Sequence, residues 1–436
     1  MPEDASVNLE ELLKLHPADV ADYLQRLPAE NAQCILRQVP RPLAAQILTE
    51  LEKERFRAFT ASFSTQELVE LFQELAPNAA ADLAGELPPE KRRQILAALP
   101  AETSAPIKAL LHYGEDTAGG IMSDRFIALR SDHTVQQSQE VLRTRAEQRP
   151  EDVSYLYVTD EAQRLVGVVS LRDLVFRRPE RRIGDIMNRD VKSVRVDADQ
   201  EEIARRFEHY HYLGLPVVDS ENRLVGIVKA SDALHVAQRE ATEDMQLMVG
   251  LSGEERALTP WQKSIGRRLP WLYINLATAF LAAAVVSLFE STIARWTVLA
   301  VFLPIVAGQG GNAGMQTLTI IIRDMALGEL SPGDGWKALL KEATLGLVNG
   351  LAIGLAVGLA GYVWKGDWRL GAIAGLAMLL NQLAAALSGV LIPFGLQALK
   401  VDPALASSIF VTTVTDVAGF FFFLGLAWAA IRLFGI

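Results

Sequence analysis

Apolar and polar positions follow three different rhythms along this chain, and each rhythm predicts a different kind of element. In residues 1–117 the apolar side chains recur at helical spacing in short runs closed by proline, as in "LHPADVADYLQRLP", "CILRQVP", "ELAPNAAADLAGELP" and "QILAALP". Proline cannot continue a helix, and it pushes the residue before it into extended backbone. Leu27, Val39, Leu87 and Leu99 therefore each mark a helix end, and adjacent closures recur every 12 residues. The leucines supply the buried stripe, so this region is expected to be an α-superhelix. The period then shortens: "YLYVTDEAQRLVGVVS" has β-rich runs flanking a polar turn. The segment "VTDEAQRLVGVVSLRDL" from Val158 returns at an offset of 59 as "VVDSENRLVGIVKASDA" from Val217. Asp160, Arg164, Leu165, Val166, Gly167, Val169 and Asp173 recur as Asp219, Arg223, Leu224, Val225, Gly226, Val228 and Asp232. Strand, turn, strand and helix thus occur twice, which predicts two α/β domains at 118–180 and 181–235. A connecting amphipathic helix follows within 236–260, "AQREATEDMQLMVGLSGEER".

The third rhythm is scarcely a rhythm. Apolar runs cover 271–289, 296–322, 343–364, 370–399 and 403–431, the last broken only by Asp416. A spanning helix needs about 20 apolar residues. Five membrane spans are expected within 261–436.

Charge sharpens this division. Residues 261–436 hold 11 Lys/Arg and 8 Asp/Glu, which leaves 31 basic and 44 acidic residues before them. An acidic soluble part argues against nucleic acid and suits cation binding. The single Cys34 has no partner for an internal disulfide, which fits a reduced cytosolic setting. The opening "MPEDASVNLEELL" lacks an apolar core for a secretion signal, so the soluble part is expected to stay cytoplasmic. Five spans then put the C-terminus outside. Lys263, Arg267, Arg268, Arg323, Lys337, Lys341 and Lys400 fall inside, against Arg295, Lys365, Arg369 and Arg432 outside. That is a modest bias in the positive-inside direction.

Chemistry concentrates in two of the spans. Asp416 sits within "FVTTVTDVAGFFFFLGLAWAAI", where a carboxylate costs about 2.5–3.5 kcal/mol on insertion scales. The second span reads "PIVAGQGGNAGMQT", with Pro304, Gly308, Gly310, Gly311, Asn312, Gly314 and Gln316. So many helix breakers predict a broken helix whose free carbonyls line a wet cavity; a kinked packing helix is the alternative. By contrast, "GLVNGLAIGLAVGLAGY" spaces Gly346, Gly350, Gly354 and Gly358 one turn apart, a smooth face for another helix. An intramembrane carboxylate beside carbonyl and amide oxygens describes a path for a hard cation such as Mg²⁺, Ca²⁺ or Mn²⁺. Mg²⁺ keeps its waters and is held through them by one or two carboxylates. Two copies of Asp416 across a two-fold axis would balance one such ion; a proton relay is the rival role. Glu290 either gathers cations at the outer mouth or is an interfacial acid paired with Arg295. No catalytic dyad or nucleophile motif is present, and no enzyme is expected.

The middle repeat resembles a tandem of CBS (cystathionine-beta-synthase) domains, with the signature Gly-x-x-Ser/Thr-x-x-Asp kept as Gly167, Ser170 and Asp173. In the second copy Lys229 replaces the hydroxyl residue. The resemblance implies an adenine nucleotide such as ATP, with Tyr155 and Asp173 as candidate contacts; a plain dimerisation module is the alternative. The order of helical N-domain, CBS pair, linker helix and five spans resembles the MgtE family of magnesium channels over essentially the whole chain. The local marks are "LHPADVA", "GRRLPWL", "GQGGNAGMQT" and "TTVTDVAG". The resemblance implies a homodimer in the bilayer of the cell inner membrane. Its pore would be lined by the second and fifth spans, at Gly308, Gly311, Asn312, Gln316 and Thr412, with Asp416 holding hydrated Mg²⁺. It also implies that cytosolic Mg²⁺ closes the pore by binding acids between N-domain, CBS pair and linker (plug) helix. Carried over, those acids are Asp82, Asp199, Glu201, Asp232, Glu240, Glu243 and Asp244, with Asp402 at the inner pore edge. Asn78, His211 and His235 stand where relatives can carry acids. Two other functions remain open: a cation/proton antiporter, and a membrane-anchored metal or nucleotide sensor that carries no ion.

Overall fold

The structure, a computed structural model, describes residues 12–148, 155–253, 255, 257, 259–405 and 407–434. The acidic opening expected to lack a secretion signal falls almost entirely in residues 1–11, outside the described residues. The chain divides into two units, Met1–Val236 and Ala237–Ile436.

The first unit begins with the helices Pro17–Arg26, Ala29–Gln38, Arg41–Thr49, Lys53–Thr60, Thr65–Glu74, Pro77–Gly85, Pro89–Ala98 and Ala101–Leu110. Leu27, Val39 and Leu99 close three of them at ψ 156°, 144° and 146°, the extended conformation that a following proline imposes. Each helix packs mainly on the second one along. Pro17–Arg26 meets Arg41–Thr49, which meets Thr65–Glu74, which meets Pro89–Ala98. This produces the two-row stack of a superhelix around Phe56, Phe59 and Phe72, all fully buried. Lys91 reaches across the stack to donate to the carbonyls of Thr60 (2.7 Å) and Phe63 (2.8 Å), closing the end of Lys53–Thr60.

Six strands follow: β1 (Ala128–Arg130), β2 (Tyr155–Thr159), β3 (Leu165–Ser170), β4 (Val194–Arg195), β5 (Gly214–Val218) and β6 (Leu224–Lys229). They form two three-stranded sheets, β1-β2-β3 and β4-β5-β6, each with a parallel pair and an antiparallel hairpin. The residues shared by the two copies have structural duties. Asp160 Oδ1 accepts the N–H groups of Ala162 and Arg164, both at 2.9 Å, and Arg164 Nε returns to its other oxygen at 3.0 Å. Asp219 builds the same turn with Glu221 and Arg223. A Cβ on Gly167 would stand 2.6 Å from Met187 Sδ, and one on Gly226 2.5 Å from Met122 Sδ. Both glycines admit a methionine against the hairpin.

The boundary between the units falls inside the helix Ala230–Met248, which follows β6 and ends before Gly250 at φ 73°. The second unit then contains Trp261–Leu288, the short Glu290–Arg295, Leu299–Ala326, Gly335–Lys365, Trp368–Ala398 and Ser407–Phe434. Among the described residues four helices are long and apolar enough to cross a membrane: Trp261–Leu288, Pro332–Lys365, Trp368–Ala398 and Ser407–Leu433. Leu299–Ala326 equals the first in length at 28 residues, but Gln309, Asn312, Gln316 and its glycines dilute its apolar content. Four of the five expected spans are thus found among the described residues.

One expectation is corrected. Leu299–Ala326 is one continuous α-helix through Pro304 and the glycines, with no break. An unsatisfied backbone group in hydrocarbon costs several kcal/mol, which favours keeping the helical ladder wherever side chains permit it. The glycines serve close approach instead: a Cβ on Gly310 would collide with Asn381, and one on Gly314 with Val411. The third long helix also starts earlier than its apolar run, at Gly335, and so takes in Glu342. The four-spaced glycines meet the neighbouring helix backbone to backbone. A Cβ at Gly354 would lie 2.6 Å from the Gly375 carbonyl oxygen, and one at Gly375 2.7 Å from that of Gly354.

Candidate functional site

Asp416 lies in the middle of Ser407–Phe434. The hydroxyls around it are engaged within their own helix. Thr412 donates to the Ser408 carbonyl (2.6 Å), Thr413 to that of Ile409 (2.6 Å) and Thr415 to that of Thr412 (3.0 Å). Asp416 is partly buried, and no donor or cation of the described residues reaches its carboxylate. An acid in this setting is costly unless it is paired with a cation or protonated.

The helix Leu299–Ala326 runs alongside in the opposite direction. The Cβ position of Gly311 is 3.5 Å from Thr412 Cγ2, and that of Gly314 is 3.6 Å from Thr415 Cγ2. Asp416 lies between Thr412, which faces Gly311, and Gly419, which faces Val306, so its level falls between Val306 and Gly311. Gly308, Gln309, Asn312, Gln316 and Thr319 form an exposed polar face on the facing helix, and nothing lies within 4 Å of the Gly308 Cβ position. Of the expected pore residues, Gly311 and Thr412 are in contact, while Gly308, Asn312 and Gln316 share the open face. One bare carboxylate and a row of amide oxygens are hard ligands of the kind a hydrated divalent ion accepts.

The remaining candidates are spread over both units. Asp402 is exposed in the turn before Ser407–Phe434, where its Oδ1 accepts the Ala404 N–H at 2.7 Å. The end of Ala230–Met248 is tied to the same span, with Ser408 Oγ donating to the Met248 carbonyl at 2.5 Å. Glu240, Glu243 and Asp244 are all partly buried on that helix. Glu243 fills the place of a side chain at Gly253, whose Cβ would stand 2.5 Å from Glu243 Cγ. In the first unit, Asp82 is exposed on Pro77–Gly85, the helix that also carries Asn78. Asp199 caps Gln200–Tyr210 by accepting the Glu201 N–H at 2.8 Å, so those two acids share one turn. Asp232 opens Ala230–Met248 and accepts from Ser231 Oγ at 3.2 Å. His211 ends its helix at φ 53°, and His235 is exposed on Ala230–Met248. Among the described residues, no three His, Cys, Asp or Glu side chains gather closely enough to hold a metal ion.

For the nucleotide contacts, Tyr155 pairs with Ser170 across the β2–β3 hairpin. Ser170 Oγ accepts the Asp173 N–H (3.1 Å) and donates to Asp173 Oδ2 (2.6 Å), capping Leu171–Phe176. Just beyond Trp261–Leu288, Glu290 and Arg295 are both exposed and form no ion pair with each other, which corrects that pairing: they occupy opposite ends of one short helix.

Two polar residues in the long helices carry no motif and escape a reading by pattern. Glu342 is 4% exposed; its Oε2 accepts the Thr317 hydroxyl at 2.9 Å, and Lys341 Nζ lies 3.0 Å from Oε1. Asn381 is fully buried and donates through Nδ2 to the Val306 carbonyl at 2.9 Å. The usable signals are an acid in "KEATLGL" at the margin of the third apolar run and the amide pair in "LLNQLAAAL" inside the fourth.

Comparison with known proteins covers the same regions. A family of divalent cation transporters, MgtE, matches residues 303–426, the MgtE intracellular N domain matches 15–116, and the CBS domain matches 118–180 and 183–239. The chain is 36% identical over 427 residues to the magnesium transporter MgtE of Thermus thermophilus, covering 96% of this chain and 94% of that one. It is 30% identical over 419 residues to the magnesium transporter MgtE of Bacillus subtilis, covering 96% and 93%. The crystal structure of the cytosolic domain of the Mg²⁺ channel MgtE in complex with ATP is similar at a TM-score of 0.50 and 38% identity, covering 52% of this chain and 93% of that one.

Proposed function

Because the chain belongs to the MgtE family of magnesium transporters, we propose that it is a Mg²⁺-selective channel through which the ion enters the cell passively. The observation that carries this reading is Asp416, a partly buried acid in a largely apolar span that no group among the described residues neutralises. Its cost in lipid is offset when a hydrated divalent cation stands beside it. The exposed polar face of Leu299–Ala326 would be unfavourable against hydrocarbon, so that helix is read as the fifth crossing, covered by a second copy of the chain. A two-fold homodimer places two Asp416 side chains around one ion. The membrane potential suffices as the driving force: a doubly charged ion gains about 4.6 kcal/mol per 100 mV, twice the single-charge figure.

In this reading residues 1–117, 118–180 and 181–235 are the cytoplasmic N-domain and CBS pair, 236–260 the plug helix and 261–436 the pore domain, with the C-terminus outside. Cytosolic Mg²⁺ closes the pore by bridging Asp82, Asp199, Glu201 and Asp232 with Glu240, Glu243 and Asp244, while Asp402 attracts the ion at the inner mouth. The similar cytosolic domain with bound ATP favours a nucleotide at the CBS pair, with Tyr155 and Asp173 as its contacts.

Uptake of Mg²⁺ by the purified protein in liposomes tests the pore. Under an inside-negative potential with the pH gradient collapsed, the wild type should take up the ion, and Asp416→Ala should fall to the level of empty liposomes. Uptake that persists in Asp416→Ala rules out the pore assignment. Uptake that needs the pH gradient identifies an antiporter instead.

A further inference from the structure

Asn381 has no part in the reading so far, yet it occupies the tightest junction among the long helices. It lies near the middle of Trp368–Ala398 and is fully buried. Its amide donates to the Val306 carbonyl at 2.9 Å, while its Oδ1 is buried without a hydrogen-bond partner among the described residues. An unpaired polar atom in a buried site is unfavourable, and a leucine, with the same fork and larger ends, would be free of that cost. The carboxamide therefore does something that packing alone does not require.

What it does follows from the residues it faces. Gly310 on Leu299–Ala326 and Gly419 on Ser407–Phe434 both leave out a side chain at this point. A Cβ on Gly310 would collide with Asn381 Nδ2, and a Cβ on Gly419 would stand 2.6 Å from it. Three helices thus meet on one amide. Two of them are the proposed pore helices: Asn312 follows Gly310 by two positions, and Asp416 precedes Gly419 by three. The carboxamide, fastened to the Val306 carbonyl, thus lies against both of these helices where Gly310 and Gly419 make room for it.

We infer that Asn381 is a positioning residue that fixes the spacing of the two pore helices and thereby the discrimination among divalent ions at Asp416. The inference rests on the channel reading above. It predicts that Asn381→Leu, which keeps the forked shape with larger ends but loses the bond to Val306, changes ion handling more than stability.

The test uses full-length protein in liposomes and measures the Mg²⁺ half-saturation concentration, the inhibition of Mg²⁺ uptake by Ca²⁺, and the thermal midpoint in detergent. Asn381→Leu should shift the half-saturation or the Ca²⁺-to-Mg²⁺ ratio by tenfold or more, with a midpoint within a few degrees of wild type. Gly419→Ala, which crowds the same amide from the other side, should move the same parameter. An Asn381→Leu protein with both parameters within twofold of wild type overturns the inference. So does a uniform loss of rate accompanied by a large fall in midpoint, which indicates packing alone. The Asp416→Ala control separates the two readings. Uptake that survives in that control removes the pore assignment, whereas an inactive Asp416→Ala beside an unaltered Asn381→Leu removes only the role of Asn381.

Discussion

Glu86 has an 8% exposed side chain and lies between Lys53 Nζ at 2.9 Å and Arg57 Nη2 at 2.5 Å. Burial pushes its carboxyl up, but the two cations together pull it further down, so the net displacement is below the ordinary glutamate value. A depressed native value means that the ion pair stabilises the N-domain above the unfolded pKa of about 4.3. That contribution is lost as the pH falls through the native value. Glu86→Gln should cost about 1.5–3 kcal/mol at neutral pH, with the difference from wild type vanishing in acid. Amide hydrogen exchange of Lys53–Thr60 and Pro77–Gly85 measures it, and equal protection in both proteins at pH 7 would contradict the assignment. In the sequence Glu86 is one acid among 52 Asp and Glu residues, with its Arg57 partner 29 positions away. Asp416 was legible because its neighbours are apolar for many residues on either side.

Among elements, the pairing of Gly335–Lys365 with Trp368–Ala398 depends on backbone contact at Gly354 and Gly375. Without a hydrophobic drive between helices in lipid, close packing supplies much of the attraction. Gly375→Ala puts a methyl group against the Gly354 carbonyl and should destabilise the protein by about 1–3 kcal/mol, the usual penalty of overpacking. Gly395 on the same helix has nothing within 4 Å of its Cβ position. Gly395→Ala should be neutral or up to about 1 kcal/mol more stable, since alanine is the better helix former. Thermal midpoints in detergent compare the two variants, and equal effects would show that the glycines are not the contact. Spacing by four announced a smooth face in one helix. In Leu299–Ala326, glycine and proline instead suggested a break, because local preference says nothing of a neighbour able to fill the missing side chains.

For the whole molecule, the gating proposed above rests on the acids of Ala230–Met248. Reversing a closed-to-open ratio from 99:1 to 1:99 takes about 5.5 kcal/mol of differential binding, more than one weak Mg²⁺ site supplies. Several acids acting together can reach it, and only to the extent that the ion prefers the closed state. Neutralising Glu240, Glu243 and Asp244 together should leave liposome uptake undiminished at an internal Mg²⁺ concentration that shuts the wild type. Inhibition at the wild-type concentration in that triple variant would exclude the helix as the sensor.

Period and composition alone determined the kinds of element, their order, the internal repeat and the acid at 416. These are properties of one segment against a generic surrounding of water, protein or lipid, and a window of neighbours along the chain expresses them. Only the tertiary structure decided that Leu299–Ala326 stays unbroken, that Asn381 fills the gaps at Gly310 and Gly419, and that Glu342 meets Thr317. Each of these depends on which distant surface arrives opposite a residue. Close packing chooses that surface through shape and single hydrogen bonds, to which a periodic pattern is blind.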